Sequence, residues 1–222
     1  MLNIGYLVPF VVVKAMPDYD SFLTTLIDKG VFALLPRRYA FKDYRVGEAG
    51  WASVFGIKGA RIILSQKSPQ YVRKILEYLL SPLIKEEIIK FKRVARLADA
   101  NFHKVAVAVN NPEKYSQRDV VKMCRPCFED LKNYVSEKVI IVKYSEDTEE
   151  YIINALSPAP PERIDKVILN KGAHEAEVFV EDKYVGYFLG PKGQNVSTAS
   201  KLTGFKITII YPGKEKSKEA DQ

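Results

Sequence analysis

The sequence predicts a multi-domain fold: a small all-β barrel followed by two α/β domains of one design. Residues 1–66 read as short apolar runs parted by turn-formers, with no helical period. From Ser68 the pattern switches to helix, two strands, helix, strand. After residue 147 the same succession of elements recurs.

In the first segment the expected strands are Tyr6–Lys14, Phe22–Asp28, Val31–Pro36, Trp51–Ile57 and Arg61–Ser65, separated at Pro17-Asp18, Lys29-Gly30, Gly47 and Lys58-Gly59. Five short strands in this length suit a closed barrel of the OB type. Such barrels bind oligonucleotides through exposed aromatics flanked by cations. Phe22, Phe32, Tyr39 and Tyr44 are the candidate aromatics, beside Arg37, Arg38 and Lys42. Each of these rings, taken singly, also suits the barrel's core.

Ser68 is an expected N-cap with Pro69 at the first helical position, and Tyr71, Val72, Ile75, Leu76, Leu79 and Leu80 share one apolar face. Strands follow over Ile88–Leu97 and Phe102–Val109, then a helix over 120–135 broken near Pro126, then a strand over Val139–Tyr144. The second succession runs through a helix over Glu149–Leu156, strands over Ile164–Leu169 and Glu177–Glu181, a helix pair, and a strand from Phe205. The letters carry the repeat. SPQYVRKIL (68–76) matches TEEYIINAL (148–156) in its apolar positions at an offset of 80, and EKVIIV (137–142) matches FKITII (205–210) at 68. The expected domains are therefore residues 1–66, 67–146 and 147–212, with a polar, disordered tail over 213–222.

Within the second repeat, Gly190-Pro191-Lys192-Gly193 stands between two helices, with Gln194 and Asn195 opening the second of them. Glycines three apart let the chain turn with positive φ and leave the backbone bare. The helix start directs N–H groups and the positive end of its dipole toward the turn, and Lys192 adds a full charge. GxxG between helices is the clamp by which KH domains hold the backbone of single-stranded nucleic acid, so Gly190, Pro191, Lys192, Gly193, Gln194 and Asn195 are the expected RNA contacts. Gly47–Gly50 and Gly56–Gly59 have the same spacing among strands and read as ordinary turns. At an offset of 68 the clamp maps onto Lys122-Met123-Cys124-Arg125, where both glycines are lost. Lys122 and Arg125 keep the means to reach phosphates, so the first copy reads as a degenerate clamp.

The formal net charge of the 222 residues is +7, a moderate bias toward anionic partners. Residues 1–66 carry +3 (8 basic, 5 acidic), 67–146 carry +6 (16 and 10), and 147–222 carry −2 (10 and 12). The intact clamp thus sits in the least basic segment, and strong phosphate attraction has to come from its neighbours. Cys124 and Cys127 give no disulfide framework, which fits a reducing cytoplasm. The apolar opening MLNIGYLVPFVVVK lacks a charged n-region and is too short to span a bilayer, so it reads as a buried first strand with no membrane role. A redox role for Cys124-Arg125-Pro126-Cys127 lacks a thioredoxin-like context, and a zinc site lacks ligands, since His103 and His174 lie in different repeats. No P-loop, nucleophile elbow or HExxH is present. No enzyme, cofactor or metal is expected.

Five further stretches carry a resemblance: Tyr44-Arg45-Val46-Gly47; Ile62-Ile63-Leu64-Ser65 running into Ser68-Pro69; Tyr144-Ser145-Glu146-Asp147; Asn154-Ala155-Leu156-Ser157-Pro158-Ala159; and Gly190 to Val196 with Leu202-Thr203-Gly204. In these the chain resembles the RNA-binding core of the NusA family of bacterial transcription elongation, termination and antitermination factors. The resemblance implies an OB barrel of the ribosomal S-one type followed by two type II KH domains. It further implies binding of single-stranded RNA across a continuous KH–KH surface, with RNA polymerase or other transcription factors as further partners; a monomeric cytoplasmic protein is expected. The family's N-terminal polymerase-binding domain is expected to be absent, because the barrel begins almost at Met1. The competing expectation is a protein-interaction module that docks on polymerase or ribosomal components and has lost RNA binding.

Overall fold

A computed structural model describes residues 2–97, 102–135 and 137–212. The expected tail over 213–222 lies outside the described residues. By packing, the chain forms two compact units, Met1–Ser81 with Cys127–Ser136, and Pro82–Pro126 with Glu137–Gln222. This grouping cuts across the first α/β repeat.

The first unit holds a closed barrel of β1 (Leu7–Met16), β2 (Ser21–Leu26), β3 (Phe32–Pro36), β4 (Ala49–Lys58) and β5 (Arg61–Ser65), in the order β1-β2-β3-β5-β4. All neighbours are antiparallel except β3 and β5, which meet in parallel at Leu34 and Ile63. Inward residues at period two, among them Phe10, Phe22, Leu26, Leu35, Val54 and Leu64, are buried and form one core. Tyr44 enters that core edge-on to three rings, with centroids 5.4 Å from Phe10, 5.9 Å from Phe22 and 5.8 Å from Phe41. Gly50 makes room for them: a Cβ there would lie 2.9 Å from Phe10 Cζ and 3.0 Å from Tyr44 Oη.

Helix α1 (Pro69–Leu79) starts as its letters dictate. Ser68 Oγ accepts from Tyr71 N at 3.1 Å, and Ser53 Oγ lies 2.6 Å from Ser68 Oγ. Tyr71, Val72, Ile75 and Leu76 are buried, each burial stabilising by roughly 1.5–3 kcal/mol. Tyr71 Oη donates to Tyr134 O at 2.7 Å, which ties the helix to the 127–136 segment.

Short α2 (Ser81–Lys85) leads into β6 (Ile89–Arg96), β7 (Phe102–Val109), α3 (Gln117–Cys124) and β8 (Lys138–Lys143). The second repeat contributes α4 (Thr148–Ala155), β9 (Ile164–Asn170), β10 (Glu175–Val180), α5 (Val185–Leu189), α6 (Gln194–Thr203) and β11 (Lys206–Ile210). Each repeat makes a three-stranded sheet, β6-β7-β8 and β9-β10-β11, with its first pair antiparallel and its last pair parallel. A five-stranded barrel followed by two α/β sheets is the architecture the sequence predicts. One expected element is reduced. The helix over 120–135 stops at Cys124 and gives way to 3-10 turns at Arg125–Phe128 and Leu131–Asn133. Pro126 has no N–H to continue the ladder.

The two sheets share one core. Ala95, Ala106 and Val142 of the first pack in the same cluster as Ile152, Leu156, Val178, Ala199, Leu202 and Ile209 of the second. Polar bonds tie the repeats as well: Arg93 Nη1 and Tyr151 Oη both donate to Leu202 O at 3.3 Å, and Lys201 Nζ donates to Arg96 O at 2.7 Å. Lys104, fully buried on β7, donates to Ala155 O and, at 2.6 Å, to Ser157 O, so it satisfies carbonyls at the C-terminal end of α4. Burial pushes its ammonium down to about 7.

Candidate nucleic-acid interface

The glycine turn is built from both sides. Phe188 buries itself in the shared core and anchors α5, whose last turn closes with Gly190 N donating to Gly186 O at 2.9 Å. Gly190 then takes φ 68° and ψ 175°, a region in effect restricted to glycine. Pro191–Gly193 form a single 3-10 turn in which Lys192 (φ 51°, ψ 30°) and Gly193 (φ 70°, ψ 13°) are both left-handed. A lysine held there costs roughly 1–2 kcal/mol. α6 begins next, with no side chain capping its start.

The two glycines do different work. A Cβ on Gly190 would stand 2.8 Å from Asn195 Cβ and 3.1 Å from Asn195 N. A Cβ on Gly193 would meet nothing within 4 Å, so that face of the turn is open. Pro191 and Lys192 are exposed, and Gln194 is half-buried. Asn195, expected among the RNA-contacting residues, is turned inward instead. It is 4% exposed, and its Nδ2 donates to Leu156 O at 2.8 Å, Phe188 O at 3.0 Å and Tyr187 O at 3.4 Å. It fastens the start of α6 to α5 and to the end of α4.

In the first repeat, Lys122-Met123-Cys124-Arg125 is not a turn. Lys122 is exposed in the last turn of α3, Cys124 is buried, and Arg125, also exposed, continues in right-handed helical geometry at φ −54° and ψ −46°. Element ends place the counterpart of Gly190-Pro191-Lys192-Gly193 three residues further on, at Arg125-Pro126-Cys127-Phe128, with proline second in both. The last strand starts 17 residues after the end of α5 but 14 after the end of α3. An offset taken from the strands therefore overshoots at the turn. Cys124 and Cys127 are not disulfide-bonded, and burial raises the Cys127 thiol's pKa, opposite to the activation a redox cysteine needs.

The barrel candidates divide. Phe22 is fully buried and cannot stack on a base; its ring is roofed by Arg37, with Cζ 4.5 Å from the centroid. Arg37 also pairs with Asp43 and lies 3.8 Å from Asp20, so it closes the barrel wall. Tyr44 is likewise a core residue, 5% exposed, its hydroxyl pushed up to about 12 by burial. Phe32 is 61% exposed at the start of β3. Arg38 is exposed, with Cζ 4.8 Å from the centroid of the half-buried Tyr39 ring. Among the described residues no group of His, Cys, Asp and Glu could hold a metal ion, and no helix is long and apolar enough to cross a membrane.

Residues 148–217, which run from α4 through the glycine turn and past β11, match the sequence profile of the NusA-like second KH domain. The chain is NusA-like. The transcription termination/antitermination protein NusA of Rickettsia prowazekii (strain Madrid E) is 33% identical over 170 residues, covering 74% of this chain and 33% of its own length. Its namesake from Halalkalibacterium halodurans is 36% identical over 157 residues, covering 68% of this chain and 39% of its own. The NusA-like chain thus spans between a third and two fifths of the length of these two curated relatives. Those relatives are named for roles in transcription termination and antitermination and not for a catalysed reaction. Among solved structures, one described as the crystal structure of APE1850 overlays 60% of this chain and 95% of its own at 20% identity, with a TM-score of 0.38.

Proposed function

We propose that this chain binds single-stranded RNA and catalyses no reaction, serving transcription elongation, termination or antitermination. The observation that carries the proposal is the turn at Gly190–Gly193: an exposed lysine and an open glycine, both left-handed, directly before a helix start that no side chain caps. The helix dipole and Lys192 then converge where a sugar-phosphate backbone can approach without meeting a Cβ on Gly193. Lys122 and Arg125 offer further cations on the first repeat, and the barrel adds the cation Arg38 and the exposed ring of Phe32. Domains at 1–66, 67–146 and 147–212 belong to the same proposal. So do RNA polymerase or other transcription factors as partners, a cytoplasmic location and a monomeric state. The NusA-like sequence match supports the transcriptional part of this reading and the last of these domains.

The test is titration of a fluorescently labelled single-stranded RNA oligonucleotide at two salt concentrations. Affinity should fall steeply with salt, because phosphate contacts dominate. Gly193→Asp should weaken binding about tenfold or more while the melting temperature stays near wild type, since aspartate tolerates left-handed geometry. Unchanged affinity in that variant rules out the clamp, and absence of binding in the wild type favours a protein-docking role.

A further inference from the structure

Phe55 is the odd residue of β4. The pairing of β4 with β5 runs from Val54 opposite Leu64 straight to Gly56 opposite Ile63, so Phe55 has no partner and forms a β-bulge. Ala52 and Val54 point into the barrel core, Ser53 on the opposite face is covered where its Oγ meets Ser68 Oγ, and Phe55, on that outward face with Trp51, is 47% exposed. Its ring meets Tyr39 at a centroid distance of 5.0 Å and an interplanar angle of 48°. Arg38 lies over the same tyrosine, and no ion pair among the described residues engages it, unlike its neighbour Arg37.

The tyrosine is held in place from behind. Gln66, 2% exposed, donates its backbone N–H to Tyr39 O at 2.9 Å and accepts from Phe41 N through Oε1 at 3.1 Å. Its Nε2 donates to Tyr44 Oη at 2.8 Å and to Trp51 O at 2.9 Å. One buried amide thereby fixes the 39–44 segment against the start of β4. Two rings and a guanidinium are pre-set on a rigid wall, which lowers the ordering cost of binding a flat ligand. A ring that served only as core cover would be buried; this one leaves nearly half its surface in solvent.

We propose that Phe55 and Tyr39 form a platform on which one unpaired RNA base stacks, with Arg38 meeting the adjoining phosphate. The proposal rests on the single-stranded RNA reading above and names the point at which the barrel takes part. Stacking on an aromatic face accepts any base, so the platform adds affinity with little sequence preference.

The experiment measures the affinity of the full chain for the same labelled oligonucleotide in Phe55→Leu, Phe55→Trp and Arg38→Gln variants, beside Gly193→Asp. Leucine keeps the apolar contact with Tyr39 but has no π face. Phe55→Leu should lose roughly tenfold in affinity, Phe55→Trp should recover it, and Arg38→Gln should weaken binding and flatten its salt dependence. Photo-crosslinking of wild type with 5-iodouridine-substituted RNA should label Phe55 or Tyr39, a readout independent of how the variants fold. If Gly193→Asp weakens binding while Phe55→Leu binds as wild type and no crosslink reaches either ring, the platform is overturned and the clamp stands. Equal losses in the leucine and tryptophan variants, without a crosslink, overturn it too. If wild type binds no RNA, the RNA reading falls, and this proposal with it.

Discussion

Gly190 faces Asn195 so closely that a methyl group on it would stand 2.8 Å from the asparagine Cβ. The first glycine of the turn is therefore required by packing, and the second, Gly193, by backbone conformation alone. Gly190→Ala should cost about 3 kcal/mol in urea unfolding, from the contact and from a φ/ψ region alanine avoids. Gly193→Ala should cost only about 1 kcal/mol.

Asn195 is expected to behave as a structural residue. Asn195→Ala leaves the buried carbonyls of Leu156, Phe188 and Tyr187 without this donor and should lower unfolding stability by about 2–3 kcal/mol. Asn195→Asp should be worse, because a buried carboxylate would then face three carbonyl oxygens. Both are checked by denaturant titration.

The two barrel phenylalanines should separate in the same assay. Phe22→Ala removes a fully buried ring and should cost about 3–5 kcal/mol. Phe32→Ala, on the barrel surface, should stay within about 0.5 kcal/mol of wild type.

Two buried bases on β7 predict how stability follows pH. Burial holds His103 down at about 4, against 6.5 in the unfolded chain, and Glu137 Oε2 at 3.9 Å only partly opposes this. The unfolded state thus binds the proton first, and stability should fall as pH drops from 6.5 toward 4, by at most about 1.4 kcal/mol per unit. His103→Leu should flatten that slope. Lys104 gives up its proton near 7 in the fold but near 10.5 when unfolded, so its contribution to stability should rise with pH across that window. Urea titrations of wild type and Lys104→Met from pH 7 to 10 read the difference.

The strands were legible because half-buried strands advertise themselves by alternation: Arg61–Ser65 and Phe102–Val109 fall where the letters place them. Parity also carried more than was drawn from it. In β2, Phe22 shares its inward face with Thr24 and Leu26, and in β3 the inward pair is Ala33 and Leu35, which turns Phe32 outward. The first-repeat turn was misplaced because three residues are missing between it and β8; the shared proline, Pro126 with Pro191, was the signal for the right alignment. The inward turn of Asn195 depends in part on the Leu156 carbonyl, some forty residues away in sequence, and has no local pattern. Phe55, by contrast, shares the outward parity of Trp51, with Ala52 and Val54 in the core. Lys104 could be seen as a lysine in an apolar strand, but its acceptors exist only once α4 has docked.

Because α6 and α4 share their interior with β6, β7 and β8, neither repeat can be cut out without baring an oily face. Any two points that β6–β8 and the second repeat present to a ligand keep a constant interval, like notches on a ruler. A nucleic-acid strand that touches both must fit that interval by its own length, so the fold itself sets a minimum footprint.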